Sequence, residues 1–413
     1  MRRYKVKLCV VGATLDGTIT VEAEDEAQAK ELALESAYDV KFVPTYDVRM
    51  LHTHGIEDVG PPKMYRKMAS IQRVVETFPI PGADNIEGCQ VLGWKCVIKK
   101  NELKAGDLCV YFEIDSLLPK KPEFAFMEAK HYRVKTIKLR KQVSQGLALP
   151  LDAITYADLS SFEEGDDVTG LLGVIKYEPD LPAELRGKVA GKFPSFLVKT
   201  DEERIQGCPR LLEHNAGRAV YSTEKLDGSS FTAYLREDTS AEGYDPASPI
   251  RKFGICSRNL ELKPDDNYFT EGDIKNRFWK TAKQEDVEKK LRAVDRNIAI
   301  QGEMVGPGIQ KNKYYLQSTK LFLFNVFDID EHVFFGLDDM KSFCEEYGFD
   351  MVPLLNVFVL DHTVDELVEM SKGKSVLGNN SKREGIVIRS TEGDRERFSF
   401  KVINPDFLLK HNE

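Results

Sequence analysis

The chain has 413 residues, 42% hydrophobic and 30% charged, with a net charge of −9. This composition fits two or three globular domains and excludes wholesale disorder. The acidic balance argues against a protein that holds nucleic acid by bulk charge alone, and no run of about 18 apolar residues is present to cross a membrane.

Residues 1–60 read as a small α/β module. Val6, Leu8 and Val10 alternate, as do Ile19, Val21 and Ala23, which predicts two strands. Lys5 and Lys7 interrupt the N-terminal apolar stretch, so it reads as a strand rather than a signal peptide. Glu24–Ala37 has helix-forming composition with acidic residues in its first turn. A third strand is expected over Phe42–Val48, and His52–Pro62 reads as a linker. Residues 64–173 are rich in short strands. Leu108, Val110, Phe112 and Ile114 share one face, and Pro79, Pro81-Gly82 and Gly106 punctuate the segments, so an OB-type β-barrel fits. Within it, His131–Lys141 is locally basic: it either tracks a phosphate backbone or forms a solvated edge strand.

Residues 177–413 mix strands and helices. Strands are expected over Ser230–Leu235, Ile298–Met304, Leu321–Ile329, Gly385–Arg389 and Phe398–Ile403, with helices near Lys283–Arg296, Asp338–Tyr347 and Val364–Lys372. The fold class is therefore α+β. The seven cysteines form no Cys-x-x-Cys pair, which speaks against a zinc site or disulfide framework and for a reducing, cytoplasmic setting.

Four segments carry candidate chemistry. Lys225-Leu226-Asp227-Gly228 sets a lysine two residues before an Asp-Gly turn; Glu303 ends an apolar strand ahead of Gly306-Pro307-Gly308; Glu384 heads another strand; and Lys401 sits inside a third, between Phe400 and Val402. Each taken alone has an ordinary reading as a surface turn, a strand end or an outward lysine. No P-loop is present.

In this order, Lys225-x-Asp227-Gly, Glu303, Glu384-Gly and Lys401 resemble the covalent nucleotidyltransferase superfamily of ATP-dependent ligases and capping enzymes, unrelated to ATP-grasp ligases. Ser257-Arg258-Asn259 and Leu321–Ile329 are similar to two further motifs of that superfamily. The resemblance implies that Lys225 is the nucleophile and that Glu224, Arg258, Phe327 and Lys401 bind the nucleotide. Phe327 would stack on the base, although a core phenylalanine in a buried strand is the equal alternative. Asp227, Glu303 and Glu384 would hold Mg²⁺ or Mn²⁺, which suits their hard oxygens. A lysine must lose its proton to attack a phosphate, against an ordinary pKa of about 10.4, so burial and a nearby cation are expected to lower it. Ser399 stands where the superfamily's last motif has the first of two lysines, and Arg397 and Lys410 are the candidates to replace it.

A barrel ahead of the catalytic domain, and little chain after Lys401, resemble the Naegleria-type RNA ligases over residues 64–413. Ser70–Pro119, with Pro79-Ile-Pro-Gly-Ala-Asp84 inside it, looks like their barrel. The expected architecture is an N-terminal α/β module (1–60), an OB-like barrel (64–173) and a nucleotidyltransferase domain (177–413). The resemblance implies a monomeric, cytoplasmic, ATP-dependent ligase of RNA 3′-OH and 5′-phosphate ends with no membrane partner. The alternatives are a DNA or DNA–RNA hybrid nick ligase and a catalytically decayed RNA-binding protein.

Overall fold

The computed structural model describes residues 2–10, 16–23, 51–58, 66–177, 187–199, 201–238, 250–270, 272–378, 380–393 and 397–411, the first three stretches as backbone. The chain forms two compact units, Met1–Arg66 and Lys67–Glu413.

The first unit holds an antiparallel sheet of β1 (Arg2–Val10), β2 (Asp16–Ala23) and β3 (Leu51–Asp58), in the order β2–β1–β3. Val6 pairs with Ile19 on one side and Ile56 on the other. β3 occupies what reads in the sequence as linker. Its Gly55 lies where the register with β1 shifts between Lys7 and Leu8, so the glycine serves a bulge within a strand rather than a flexible connection. The expected helix over 24–37 and strand over 42–48 lie outside the described residues.

The second unit opens with a curled antiparallel sheet. Its strands are β4 (Ala69–Pro79), β5 (Ile86–Val91), β6 (Trp94–Lys99), β7 (Leu108–Phe112) and, after β8 (Ser116–Leu117), β9 (Ile137–Leu139) and β10 (Gln142–Ser144), β11 (Leu147–Pro150), ordered β11–β7–β4–β5–β6. Alternation along β4 and β7 splits the barrel's apolar residues between two cores. Val74, Cys89, Trp94, Cys96 and Tyr111 fill one, and Ile71, Val110, Phe112 and Phe124 fill the other. The two-residue strand β12 (Ile175–Lys176) pairs with β8 and leads out of the barrel.

Two sheets build the rest. The first orders β13 (Val189–Lys192), β18 (Leu260–Leu262), β17 (Arg251–Cys256), β16 (Ser229–Glu237), β19 (Ile298–Val305), β20 (Lys320–Asp328) and β21 (Val333–Phe334), with β22 (Asp350–Met351) beside β20. The second orders β14 (Glu203–Arg204), β25 (Ser399–Ile403), β24 (Gly385–Ser390), β15 (Ala219–Lys225) and β23 (Leu354–Val359). Helices α1 (Arg277–Gln284), α2 (Val287–Val294) and α3 (Leu337–Tyr347) cover the first sheet, burying Trp279, Leu291 and Phe343 against Phe231, Ile300 and Leu323. The helix expected near 283–296 is α2. Asp286 adopts a left-handed φ of 51°, a conformation that aspartate tolerates better than most residues, and separates it from α1, which the sequence does not mark. Helices α4 (Val364–Ser371) and α5 (Pro405–His411) lie in the same unit. Among the described residues no helix is long and apolar enough to cross a membrane.

Candidate active site

The Lys225–Gly228 turn carries the chain from the second sheet to the first. β15 is central in its sheet, between β23 and β24, and is buried along most of its length. It ends at Lys225. Leu226, 2% exposed, then plugs into Val305, Tyr314 and Val352. The Asp227 amide donates to the Tyr314 hydroxyl at 2.7 Å, and the Gly228 amide donates to Glu303 Oε1 at 3.1 Å. A Cβ on Gly228 would lie 2.4 Å from the Met304 carbonyl oxygen. The spacing therefore has a physical reason at every position: an apolar anchor, an amide for a tyrosine, and a residue with no side chain where two strands meet.

Lys225 Nζ donates to Glu384 Oε1 at 2.5 Å. The register sets this pair, because Lys225 lies opposite Gly385 across β15 and β24. Asp227 is ion-paired to Lys313, carried by a loop in which Gln310, Lys311 and Asn312 all take positive φ. Burial alone would push the Lys225 ammonium down, but Glu384, Glu303 and Asp227 outweigh it and hold the group above its ordinary range. The lowered lysine expected from the sequence is thus not a property of these side chains by themselves. Glu303 shows the converse. Burial, reinforced by Glu384 and Asp227 and opposed by Lys225, pushes its carboxyl up to about 8.

Cations gather on the other side. Asp201 accepts from Lys176 Nζ at 3.0 Å, Arg258 Nη2 at 2.9 Å and Lys401 Nζ at 3.2 Å. Burial opposes ionisation of Asp201, yet Lys401, Arg258 and Lys176 hold it well below the usual carboxylate range. Burial pushes Lys401 down to about 8, with Asp201 opposing and Arg204 and Lys225 adding to the effect. Buried Arg389 donates to Thr223 Oγ1 at 3.0 Å and lies 5.6 Å from the Phe324 ring. Between the two sets opens a cavity of about 850 Å³, a volume that suits a nucleotide.

Of the residues read from the sequence, Glu224, Lys225, Asp227, Arg258, Glu303, Glu384 and Lys401 all line this cavity. Glu224 Oε2 accepts from the Val376 amide at 2.7 Å, and burial raises its carboxyl. Phe327 is not brought there. It is 1% exposed and packs against Leu197, Ile329 and Phe334, while Phe324 lines the cavity. The two candidates to replace the missing lysine also lie elsewhere. Arg397 donates to Asn325 Oδ1 at 2.7 Å, and Lys410 is exposed on α5. Asp201, Lys176, Arg389 and Phe324 were not singled out from the sequence. A charged Arg389 closing the apolar run Ile386-Val387-Ile388 was the one available signal.

The three acidic residues are hard oxygen donors reaching one cavity from two sheets. Among the described residues no three His, Cys, Asp or Glu side chains form a ready-made metal cage. Such a set suits a cation that keeps several waters and shares its ligation with a phosphate. Burial first, and then the neighbouring Glu384 and Asp227 charges, drive Glu303 up to about 8; a cation among the three would offset both.

A family model for RNA ligases matches residues 218–403, and one for an OB-fold domain matches residues 68–151. No curated protein matches the chain in sequence. Among solved structures, an alanine variant of Naegleria gruberi RNA ligase with ATP and Mn is 37% identical, with a TM-score of 0.74, and the match covers 84% of this chain and 100% of that one. The same ligase with PPi matches at 37% identity and a TM-score of 0.74, over 84% and 99% of the two chains. A methionine variant with AMP and Mn gives the same identity, TM-score and coverage. The chain belongs to the RNA ligase family.

Proposed function

We propose that this protein is an ATP-dependent enzyme that joins an RNA 3′-hydroxyl to an RNA 5′-phosphate through a lysyl-AMP intermediate on Lys225. The observation that carries this reading is the Lys225–Glu384 pair at 2.5 Å, set between a carboxylate cluster and a cation cluster in one cavity.

In the first step the Lys225 amine attacks the α-phosphorus of ATP. An N–P bond forms, the nitrogen gives up a proton to solvent, the P–O bond to pyrophosphate breaks, and pyrophosphate leaves. In the second step an RNA 5′-phosphate oxygen attacks the same phosphorus, the N–P bond breaks, and AMP is carried on the RNA end. In the third step the 3′-hydroxyl attacks the RNA 5′-phosphorus, loses its proton, and AMP departs. Lys401, Arg258 and Lys176, now shared by Asp201, would turn to phosphate oxygens and offset their charge. Phe324 and Arg389 would form the nucleoside side of the cavity.

Asp227, Glu303 and Glu384 would hold Mg²⁺ or Mn²⁺. Such an ion supplies positive charge beside the phosphate and polarises it. With the carboxylate charge taken up, burial is left to push the Lys225 amine down, and its lone pair becomes available. The proposed working unit is a monomer.

The test is to incubate the protein with α-labelled ATP and Mn²⁺ or Mg²⁺ and look for covalent label. Wild type should take label and Lys225→Ala none; equal labelling of the two ends the proposal. A sealing panel then compares ends that differ only in RNA or DNA sugar. Joining of DNA alone would replace RNA as the substrate.

A further inference from the structure

The basic segment noted in the sequence meets the cavity's lining near its beginning, through Arg133. The Arg133 guanidinium lies 3.8 Å from the centre of the Tyr177 ring, and Tyr177 and Lys176 line the cavity. From there the chain runs outward into the β9–β10 hairpin. Between Glu128 and Asp152 the sequence holds six Lys or Arg and no Asp or Glu, in a protein whose net charge is −9.

The tip of that hairpin has an unusual backbone. Leu139 pairs with Gln142, which leaves Arg140 and Lys141 as a two-residue turn. Both take positive φ, 47° and 71°. This is the turn geometry that matches strand twist, and it strongly favours Asn-Gly or Asp-Gly. Long side chains are disfavoured there. The chain nevertheless sets two cations at the outermost point, with Lys138 exposed one strand residue away. Among the described residues, none of Lys138, Arg140 and Lys141 is ion-paired to a carboxylate.

We propose that the β9–β10 hairpin grips the phosphate backbone of the RNA strand whose end enters the cavity past Tyr177. The seven residue steps from Arg133 to Arg140 can span up to about 23 Å if extended, so the grip engages the strand well away from the reacting end. This proposal rests on RNA being the substrate. It adds where the body of the strand lies and makes that contact electrostatic and independent of sequence.

The experiment uses the full chain and a 5′-phosphorylated single-stranded RNA probe. One variant combines Arg140→Asn with Lys141→Gly, which suits the turn better than wild type while removing both charges. A second combines Lys138→Glu, Arg140→Glu and Lys141→Glu. Both should take label from ATP on Lys225 as wild type does. Both should bind the probe about tenfold or more weakly, and the slope of log affinity against log salt should fall by about 1–2 for the first variant. Joining should fall in parallel and recover at low salt. Unchanged affinity and salt slope in both variants would overturn the proposal and leave a merely solvated hairpin. If wild type binds the probe and the variants do not, but wild type never joins it, the grip stands and the ligase reading fails.

Discussion

The Glu303 carboxyl and the Gly228 amide are joined at 3.1 Å across the point where the chain passes from one sheet to the other. A proposed metal ligand is thus tied to the backbone of the nucleophile's own turn. Disturbing that turn should therefore change chemistry and stability together.

Gly228→Ala should be the sharpest test of this link. Its Cβ would sit 2.4 Å from the Met304 carbonyl oxygen, so the strands must separate. An overpacking cost of about 1–3 kcal/mol is expected. Thermal unfolding should show the loss. ATP labelling of Lys225 should collapse even at temperatures where the variant is fully folded. A folded variant that labels normally would show that the Gly228–Glu303 contact is dispensable.

Phe324 and Phe327 should separate binding from folding. Phe327 is 1% exposed within an apolar cluster, and Phe327→Ala should cost about 3–5 kcal/mol of stability. Phe324 lines the cavity. Phe324→Ala should weaken nucleotide affinity with a far smaller loss in denaturant midpoint. The reverse pattern would restore Phe327 as the base-stacking residue.

Lys401 should give nucleotide binding a pH dependence. Its ammonium is depressed to about 8 in the free protein, and a bound phosphate favours the protonated form. ATP affinity should therefore hold below pH 8 and fall above it, by up to about tenfold per pH unit until the bound-state pKa is reached. Folding runs the other way. The unfolded lysine binds more protons than the native one between about 8 and 10.4, so this group adds stability as pH rises through that window. Calorimetric titration at several pH values, with Lys401→Met alongside, checks both; in that variant the two dependences should flatten.

Glu384→Gln keeps the shape and removes the charge opposite Lys225. The metal concentration needed for half-maximal labelling should rise on the order of 10–100-fold, as when a group that holds or orients a metal ligand is lost. A metal titration of the labelling rate reads this directly, and an unmoved midpoint would remove Glu384 from the metal-binding set.

The parts of the site legible in the sequence are those whose roles follow from local context. Lys225, Asp227 and Gly228 belong to one turn, and Glu303, Glu384 and Lys401 sit on apolar strands whose alternation is visible. The resemblance points to Phe327, with a core phenylalanine as the equal alternative, and the structure realises the core alternative. The register of β20 with β19 shifts between Gln301 and Gly302, opposite Leu323–Asn325, and no residue type announces that extra step. Asp201 and Lys176 were illegible for another reason. They lie in connecting segments, and their meeting with Arg258 and Lys401 exists only once the barrel's exit strand and the catalytic sheets are folded together. The strand Leu51–Asp58 escaped notice because a bulge glycine looks the same as a loop glycine in a sequence.

The two sheets divide the site's tolerances unequally. Lys225 ends one strand of a hydrogen-bonded ladder and Glu384 immediately precedes its neighbour, so main-chain register sets their separation. Glu303 arrives from the opposite sheet, held to its partners by the turn at Gly228, the Leu226 plug and side-chain contacts such as Arg397 to Asn325 rather than by a shared ladder. Substitutions that let the sheets slip would spare the nucleophile's pairing while detuning the metal side, giving an enzyme that is assembled but poorly loaded. Efforts to harden this protein against heat would do best to stitch across that seam, rather than reinforce either sheet.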